Sequence, residues 1–399
     1  MKPKVAIVCE CLSANLGDQA IARSLSNIMS SYYDVKLVSF GRLPVTRLQK
    51  DDQVAADRLS VKRRIGRLLP NAIKSRIKWY VLGGRRVYES YFGNAINDCE
   101  LVIVGGGQLI KNNVALFSDR IDSVWRITRR NRVSLSFVGV GVDRSMKPLN
   151  WRLVQRALQQ SEQILVRDDS SRHRIEANVK IAVPCSVVPD LVFGLANPHA
   201  EPKFDQRRYS YALNIMSLRI MLSDDASEFV SGMESSYCDL AAQIIAADMN
   251  CILFTSGSAE DLQEMQRMHG VIKDRVGLDL EVFHPGDLDD LMSFLGIVKN
   301  VVASRLHAGI LSFVSGCNLV CINWDDKVAG VWAVVGQADR VIEVSGFSDT
   351  IWAKAILSKL NVLKAPSQTE LKDLADTVWN EVTLQIIGSR ALQLPDQSK

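Results

Sequence analysis

The sequence predicts an α/β protein of two doubly wound, Rossmann-like domains that face each other across a cleft. Three observations predict it. Short apolar runs of strand length alternate with amphipathic stretches of helix length, a pattern that implies parallel sheets covered by helices on both faces. The alternation restarts after a break between Val188 and Arg208 that holds Pro189, Gly194, Asn197, Pro198 and Pro202. The chain has 399 residues, and single cores stop growing at roughly 250–300. With 47% hydrophobic and 23% charged residues, the composition is that of a globular protein and excludes disordered, collagen-like and coiled-coil classes.

In the first half, the candidate strands are Val5–Cys9, Val35–Phe40, Leu101–Val104, Val133–Val138, Ile164–Val166 and Ser186–Val188. The first helix is read from Ile21, Leu25, Ile28 and Met29, which line one face at helical spacing. In the second half, the strands are Tyr211–Met216, Cys251–Phe254, Leu280–Phe283, Val301–Ser304, Leu319–Asn323 and Val341–Val344. Helices fit Ala226–Ala247, Ala259–Lys273, Leu288–Val298 and Leu306–Val314, and an amphipathic tail runs from Thr369 to Leu392. The expected division is residues 1–190 as the first domain, 191–208 as linker, 209–365 as the second domain and 366–399 as a terminal helix and tail. Such sheets bind ligands at the carboxyl ends of their strands.

Candidate chemistry collects at those strand ends. After the first strand comes Asn15-Leu16-Gly17-Asp18. Gly17 permits a turn that a side chain would block, and Asp18 either caps the helix or turns a carboxylate to the cleft for a sugar hydroxyl. Gly105, Gly106 and Gly107 follow the third strand; they make either a tight turn or a close backbone approach to an oxyanion. Arg167 ends the fifth strand beside Asp168, Asp169 and Ser170, as a cleft cation or as half of a salt bridge. Ser304-Arg305-Leu306-His307 joins a strand to a helix. The free N–H groups of a helix N-terminus suit an anion, and Arg305 adds a bidentate fork. His307 holds the most pointed position of the five histidines, while His284, before Pro285-Gly286, is a second candidate for the cleft. Lys327 and Arg219 follow neighbouring strands. Together with Arg305 they put three cations on one sheet edge, which suits a small, highly anionic ligand. There is no G-x-S-x-G, phosphate-binding P-loop or H-E-x-x-H, and no histidine–cysteine spacing suited to zinc.

Net charge is +4, unevenly spread. From Arg58 to Tyr88 there are ten basic and no acidic residues, so 31 residues carry +10 and the other 368 carry −6. No nucleic-acid recognition module accompanies this run, and none is expected as a partner. Leu68, Leu69, Ile73, Ile77, Trp79, Tyr80 and Val81 are interleaved with the cations. That pattern fits a helix lying on an anionic membrane surface, or else a solvated face or an oligomer contact. The eight cysteines show no C-x-x-C spacing and read as buried thiols in a reducing compartment. Lys2 and Lys4 precede an apolar run of only Val5–Cys9, too short for the core of a secretory signal. The uncharged stretch Leu306–Trp324 is broken by polar and turn residues, unlike a membrane span. The expectation is a cytoplasmic protein, peripheral to the inner face of the plasma membrane if the basic run docks there.

Taken in order, Asn15-x-Gly17-Asp18, the Leu101–Gly107 strand, Gly139-Val140-Gly141, Arg167-Asp168, Ser217-Leu218-Arg219, Ser304-Arg305-Leu306-His307 and Asp326-Lys327-Val328 resemble the polysaccharide pyruvyl transferase family. The resemblance runs from about Val5 to about Val344. It implies a fold similar to two-domain GT-B glycosyltransferases. It also implies transfer of the enolpyruvyl unit of phosphoenolpyruvate onto two hydroxyls of a glycan sugar, free or lipid-linked, with phosphate released. Arg219, Arg305, His307 and Lys327 would form the donor site, with His307 as acid/base and with Asp18 and Gly106 on the acceptor side. No metal or cofactor is implied. The sequence departs from the family pattern at Gly309, where a bulkier residue is common, and at Cys9-Glu10-Cys11. The alternatives are a nucleotide-sugar GT-B glycosyltransferase and a non-enzymatic sugar-binding protein.

Overall fold

The computed structural model describes residues 2–41, 71–112, 116–196, 208–217, 227–343 and 350–388. Contacts divide the chain into two units. The first holds Met1–Ser13, Leu25–Val187 and Val382–Lys399; the second holds Ala14–Ser24 and Val188–Glu381.

The first unit is built on a parallel sheet of six strands: β1 (Lys4–Cys9), β2 (Asp34–Ser39), β3 (Leu101–Ile110), β4 (Ser134–Val142), β5 (Gln163–Val166) and β6 (Cys185–Val187), in the order β2-β1-β3-β4-β5-β6. The inner strands β1, β3, β4 and β5 are largely apolar because both their faces are covered, whereas the edge strand β2 carries Asp34 and Lys36 and is buried only at Val38 and Ser39. Ala6, Val8, Val102 and Val104 join a core with Tyr88, Phe92, Ile121, Val124, Trp151 and Val154 from the helices Gly84–Ile96, Phe117–Asn131 and Pro148–Gln159. On the other face Leu25 of the first helix, Leu16–Ser30, lies against Gly105 beside Ile7 and Ile103.

The third strand does not end at Val104 as expected; it runs to Ile110 through the triple glycine, and its register against β4 shifts between Gly107 and Ile110. A methyl group on Gly105 would stand 2.4 Å from the end of Leu25, so the missing side chain lets the helix sit down on the sheet. Gly106 and Gly107 take φ of 67° and 69°, open to glycine at little cost, and bend the strand as a bulge does.

The second unit repeats the architecture with β7 (Tyr209–Asn214), β8 (Cys251–Phe254), β9 (Glu281–Phe283), β10 (Val298–Ala303), β11 (Asn318–Asn323) and β12 (Val341–Glu343), ordered β12-β11-β10-β7-β8-β9 and parallel. Its core packs Leu213, Val302 and Val320 against Tyr237, Leu240 and Ile244 of helix Ser227–Ala246 and against Trp352, Ile356 and Leu360 of helix Thr350–Val362. That last helix was not expected from sequence, although Trp352, Ile356 and Leu360 carry helical spacing. Helix Leu288–Leu295 stops at Gly296, short of the expected Val298, which instead opens β10. The terminal helix spans Gln368–Thr383 and is followed by a wider turn, Leu384–Gly388.

The part of the basic run inside the described residues folds as two helices, Asn71–Tyr80 and Gly84–Ile96, broken at Gly83, whose φ is 82°. Arg58, Lys62, Arg63, Arg64 and Arg67 lie outside the described residues. All eight cysteines are free thiols. Cys11 is the one that is not buried. The Cys9 thiol, donating to it, holds Cys11 below the ordinary thiol range and is itself pushed well up. At Gly309 the space that a bulkier residue would need is filled: a methyl group there would lie 2.4 Å from Cys321 Sγ and 3.5 Å from Trp332. Among the described residues, no helix is long and apolar enough to cross a membrane.

Candidate active site

The carboxyl edge of the second sheet holds His284, Arg305, His307 and Lys327 of the expected site residues. The turn from β10 into helix Leu306–Val314 is fixed by buried hydrogen bonds. Ser304 Oγ donates to the Asn214 carbonyl at 2.8 Å and shares a 2.6 Å contact with the Tyr237 hydroxyl. Trp324 Nε1 donates to the Ser304 carbonyl at 2.7 Å, and the Arg305 N–H donates to Asn214 Oδ1 at 2.9 Å. Strands β7, β10 and β11 are thereby tied at one point, and the helix starts in a defined direction.

Arg305 caps that helix without a side-chain capping bond. Its guanidinium instead forks onto Asp261, with Nε to Oδ2 at 2.9 Å and Nη2 to Oδ1 at 2.8 Å. Asp261 is 1% exposed and also accepts from Ser217 N at 2.8 Å. Two of the five guanidinium donors are used in this pair, and among the described residues Nη1 makes no hydrogen bond.

His307 follows in the first turn of the helix, its side chain 12% exposed. Nε2 points at Asp190, whose Oδ2 is 3.5 Å away. That exceeds hydrogen-bond length, and the buried Nε2 has no hydrogen-bond partner among the described residues. Asp190 is itself fixed. Its Oδ1 accepts from Val192 N at 3.1 Å and caps a short 3-10 turn, Leu191–Leu195. Phe193 in that turn packs edge-on against Phe313 and Trp332, with ring centroids 6.1 and 5.6 Å away.

The other side of the imidazole meets Gly17. A methyl group built there would lie 2.4 Å from His307 Nδ1 and 2.5 Å from its Cβ and Cγ. Gly17 is absent from the positive-φ glycines, so its need is the close approach and not the expected special turn. The loop carrying it is anchored by Leu16 N donating to the Ser256 carbonyl at 3.1 Å. Asn15 Oδ1 accepts from Gly17 N at 3.1 Å, so the helix start is capped by Asn15 and not by Asp18. Asp18 remains in the first turn, half-buried.

Lys327 opens helix Asp326–Val334. Its ammonium lies 4.4 Å from the centroid of the Trp324 ring and 3.2 Å from Asp325 Oδ2. His284, after β9, shares a 2.8 Å hydrogen bond between Nδ1 and Thr255 Oγ1, next to the Ser256 that holds the Gly17 loop. Arg219 lies outside the described residues. Arg167 belongs to the first unit. It is 2% exposed, lies over Gly141 and has Nε 3.8 Å from Asp168 Oδ2, while Asp168 caps the next helix through Ser171 N at 2.6 Å.

Sequence reasoning missed Asp190, Asp261, Asn214 and Tyr237. Asp190 had a signal: Pro-Asp before the apolar Leu191-Val192-Phe193 is a capped turn, though the surrounding Pro and Gly read as linker. Asp261 had none, because its partner Arg305 is 44 residues away in sequence. Among the described residues, no group of three or more His, Cys, Asp and Glu is arranged to hold a metal.

The architecture is shared with solved structures of low sequence identity. The UDP-GlcNAc 2-epimerase of Neisseria meningitidis bound to UDP-GlcNAc matches with a TM-score of 0.51 at 10% identity, over 98% of this chain and 100% of that one. Anabaena Alr3699/HepE in complex with UDP and glucose matches at 0.52 and 10% identity, over 98% of each chain. A glycosyltransferase from Rickettsia africae matches at 0.52 and 10% identity, over 97% of this chain and 94% of that one. These likenesses establish the class, an α/β protein with the fold of GT-B glycosyltransferases and epimerases. A search of curated proteins found no match to the sequence. The family model for polysaccharide pyruvyl transferase matches residues 15–326, and the chain belongs to that family. The matched span opens on the Asn15 loop and contains Asp190, Asp261, Arg305 and His307.

Proposed function

We propose that the protein transfers the enolpyruvyl unit of phosphoenolpyruvate onto two hydroxyls of a glycan sugar, forming a pyruvate ketal in cell-surface or extracellular polysaccharide synthesis. The observation that carries this reading is His307, seated between Gly17 and the buried Asp190 carboxylate, two residues after an arginine at a helix N-terminus. The donor is a compact anion with a carboxylate and a phosphate. Helix N–H groups, the Nη1 edge of Arg305 and the Lys327 ammonium suit such a ligand, and Arg219 joins them on sequence grounds.

A proton goes to C3 of the vinyl group, turning CH2 into CH3 and leaving C2 electrophilic. The first sugar hydroxyl attacks C2 and gives up its proton. The C2–O bond to phosphate breaks, phosphate leaves with its electron pair, and the second hydroxyl closes the ketal and loses its proton. One of the two hydroxyl protons replaces the one spent on C3 and the other leaves with phosphate, so the step balances with no further reactant. An imidazole can give and take these protons near neutral pH, with Asp190 orienting the ring. Asp18, in the first turn beyond Gly17, is assigned to a sugar hydroxyl.

The test is phosphate release from phosphoenolpyruvate across a panel of acceptor glycans, with product ketals identified by NMR. His307→Ala should lower kcat by about 10²–10⁴-fold, the usual contribution of a positioned acid/base, and Asp190→Asn by less, with a smaller effect on KM. Near-normal turnover by His307→Ala would remove the acid/base assignment. Thermal stabilisation by sugar nucleotides and none by phosphoenolpyruvate would overturn the donor.

A further inference from the structure

A second surface lies at the tip of the helical hairpin Asn71–Tyr80 and Gly84–Ile96 in the first unit, and none of the candidate site residues belongs to this hairpin. Of the fifteen large apolar side chains that stand exposed among the described residues, five fall within the eleven residues Ile77–Val87: Ile77, Tyr80, Val81, Leu82 and Val87. Val81 is 73% exposed and Leu82 60%. Isolated exposed apolar residues are ordinary, but a cluster marks an interaction surface.

The exposure is built in. Trp79 and Tyr88 turn inward, 5% and 2% exposed and 5.3 Å apart, and pin the two helices to the core. Gly83 in a left-handed conformation makes the sharp turn between them. Between these anchors Val81, Leu82, Arg86 and Val87 stand exposed, while the Tyr80 hydroxyl donates to Asp119 Oδ1 at 2.6 Å.

The tip is also cationic. Arg76 is 3.7 Å from Asp119 and Arg85 pairs with Glu89. Lys78 and Arg86 are exposed and make no ion pair among the described residues. In sequence the basic run also holds Arg58, Lys62, Arg63, Arg64 and Arg67, which lie outside the described residues. A second copy of this chain would bring the same uncompensated charge and be repelled. A nucleic-acid backbone would leave Val81 and Leu82 without an apolar home. A bilayer with anionic headgroups answers both features: shallow insertion of the aliphatic tip, and cations at headgroup level.

We propose that this hairpin tip docks the protein on an anionic membrane surface through Val81, Leu82 and Ile77, with Lys78 and Arg86 at the lipid headgroups. The proposal stands whether or not the donor is phosphoenolpyruvate. It is tested by sedimenting the full chain with vesicles of phosphatidylcholine alone and of phosphatidylcholine mixed with phosphatidylglycerol. Binding is expected on the anionic vesicles only, weakening as salt is raised. Each cation at such a surface is worth about fivefold in binding, so Lys78→Glu with Arg86→Glu should weaken binding by at least about 25-fold. Val81→Asp with Leu82→Asp should abolish it, and the milder Val81→Ser with Leu82→Ser should weaken it, with unchanged circular dichroism in each case. Equal binding to both vesicle types, or wild-type binding by Val81→Asp/Leu82→Asp, overturns the proposal. So does concentration-dependent self-association that the same variant abolishes, with no vesicle binding, which would assign the tip to a second copy.

Discussion

Replacing Gly17 with alanine puts a methyl group 2.4 Å from His307 Nδ1 and 2.5 Å from its Cβ and Cγ. Cβ and Cγ are the root of the side chain, so a rotation of the ring tip cannot relieve the contact; His307 or the Asn15–Asp18 loop has to move. Misplacing a reacting group by about 1 Å can cost about 10²-fold. Gly17→Ala is therefore expected to lower kcat by about that factor while circular dichroism stays unchanged, measured by phosphate release. Near-wild-type turnover would show that the contact with Gly17 does not position the imidazole. At this scale the sequence showed Gly17 and His307, because each stands at a strand-to-helix junction. It did not show that they touch, since they are 290 residues apart. Asp190 stayed hidden because a proline before it and a glycine after it have the composition of a linker, yet here they frame a buried, capped turn.

The strand-to-helix turn at Ser304–Arg305 is an element-scale device. Asn214 is fully buried, and its Oδ1 takes the Arg305 N–H while its own carbonyl takes the Ser304 hydroxyl. Asn214→Ala removes the acceptor and leaves a part-buried N–H unpaired, at a cost of about 1–3 kcal/mol. The midpoint of urea unfolding should fall with little change in slope; an unmoved midpoint would mean that water or another group replaces Oδ1 at no cost. The inner strands were readable as apolar runs because parallel strands are buried on both faces, and the short edge strands β9 and β12, which are not buried, were read from Val282-Phe283 and Val341-Ile342. What was misread has local causes. The triple glycine, expected as a tight turn or a backbone approach to an oxyanion, lies inside β3, where Gly105 passes beneath Leu25. Thr350–Val362 was overlooked although its buried Trp352, Ile356 and Leu360 recur every four residues.

For the molecule as a whole, the sequence carried the two-sheet plan and a division at residues 190 and 208, while contacts group the residues as two units of several segments each. Strand and helix periodicity is local, whereas membership of a unit is decided by contacts between distant segments. Ala14–Ser24 follows the first strand in sequence and is counted with the second unit. It is held there by Leu16 N on the Ser256 carbonyl and by Ser24 Oγ on the Leu191 carbonyl at 2.5 Å. The surroundings of His307 thus draw on three stretches far apart in the chain: the Asn15–Asp18 loop, the Asp190 turn and the start of helix Leu306–Val314. A ligand that binds only the folded state stabilises it by about 2.7 kcal/mol at a hundred times its Kd, and local opening of the elements it touches is suppressed with it. Saturating phosphoenolpyruvate is therefore expected to slow amide hydrogen exchange in those three stretches together, while the central strands β3 and β4 of the first unit exchange as before. Protection centred on the carboxyl ends of β3 and β5, around Gly106 and Arg167, would move the donor to the first unit and take His307 out of the chemistry.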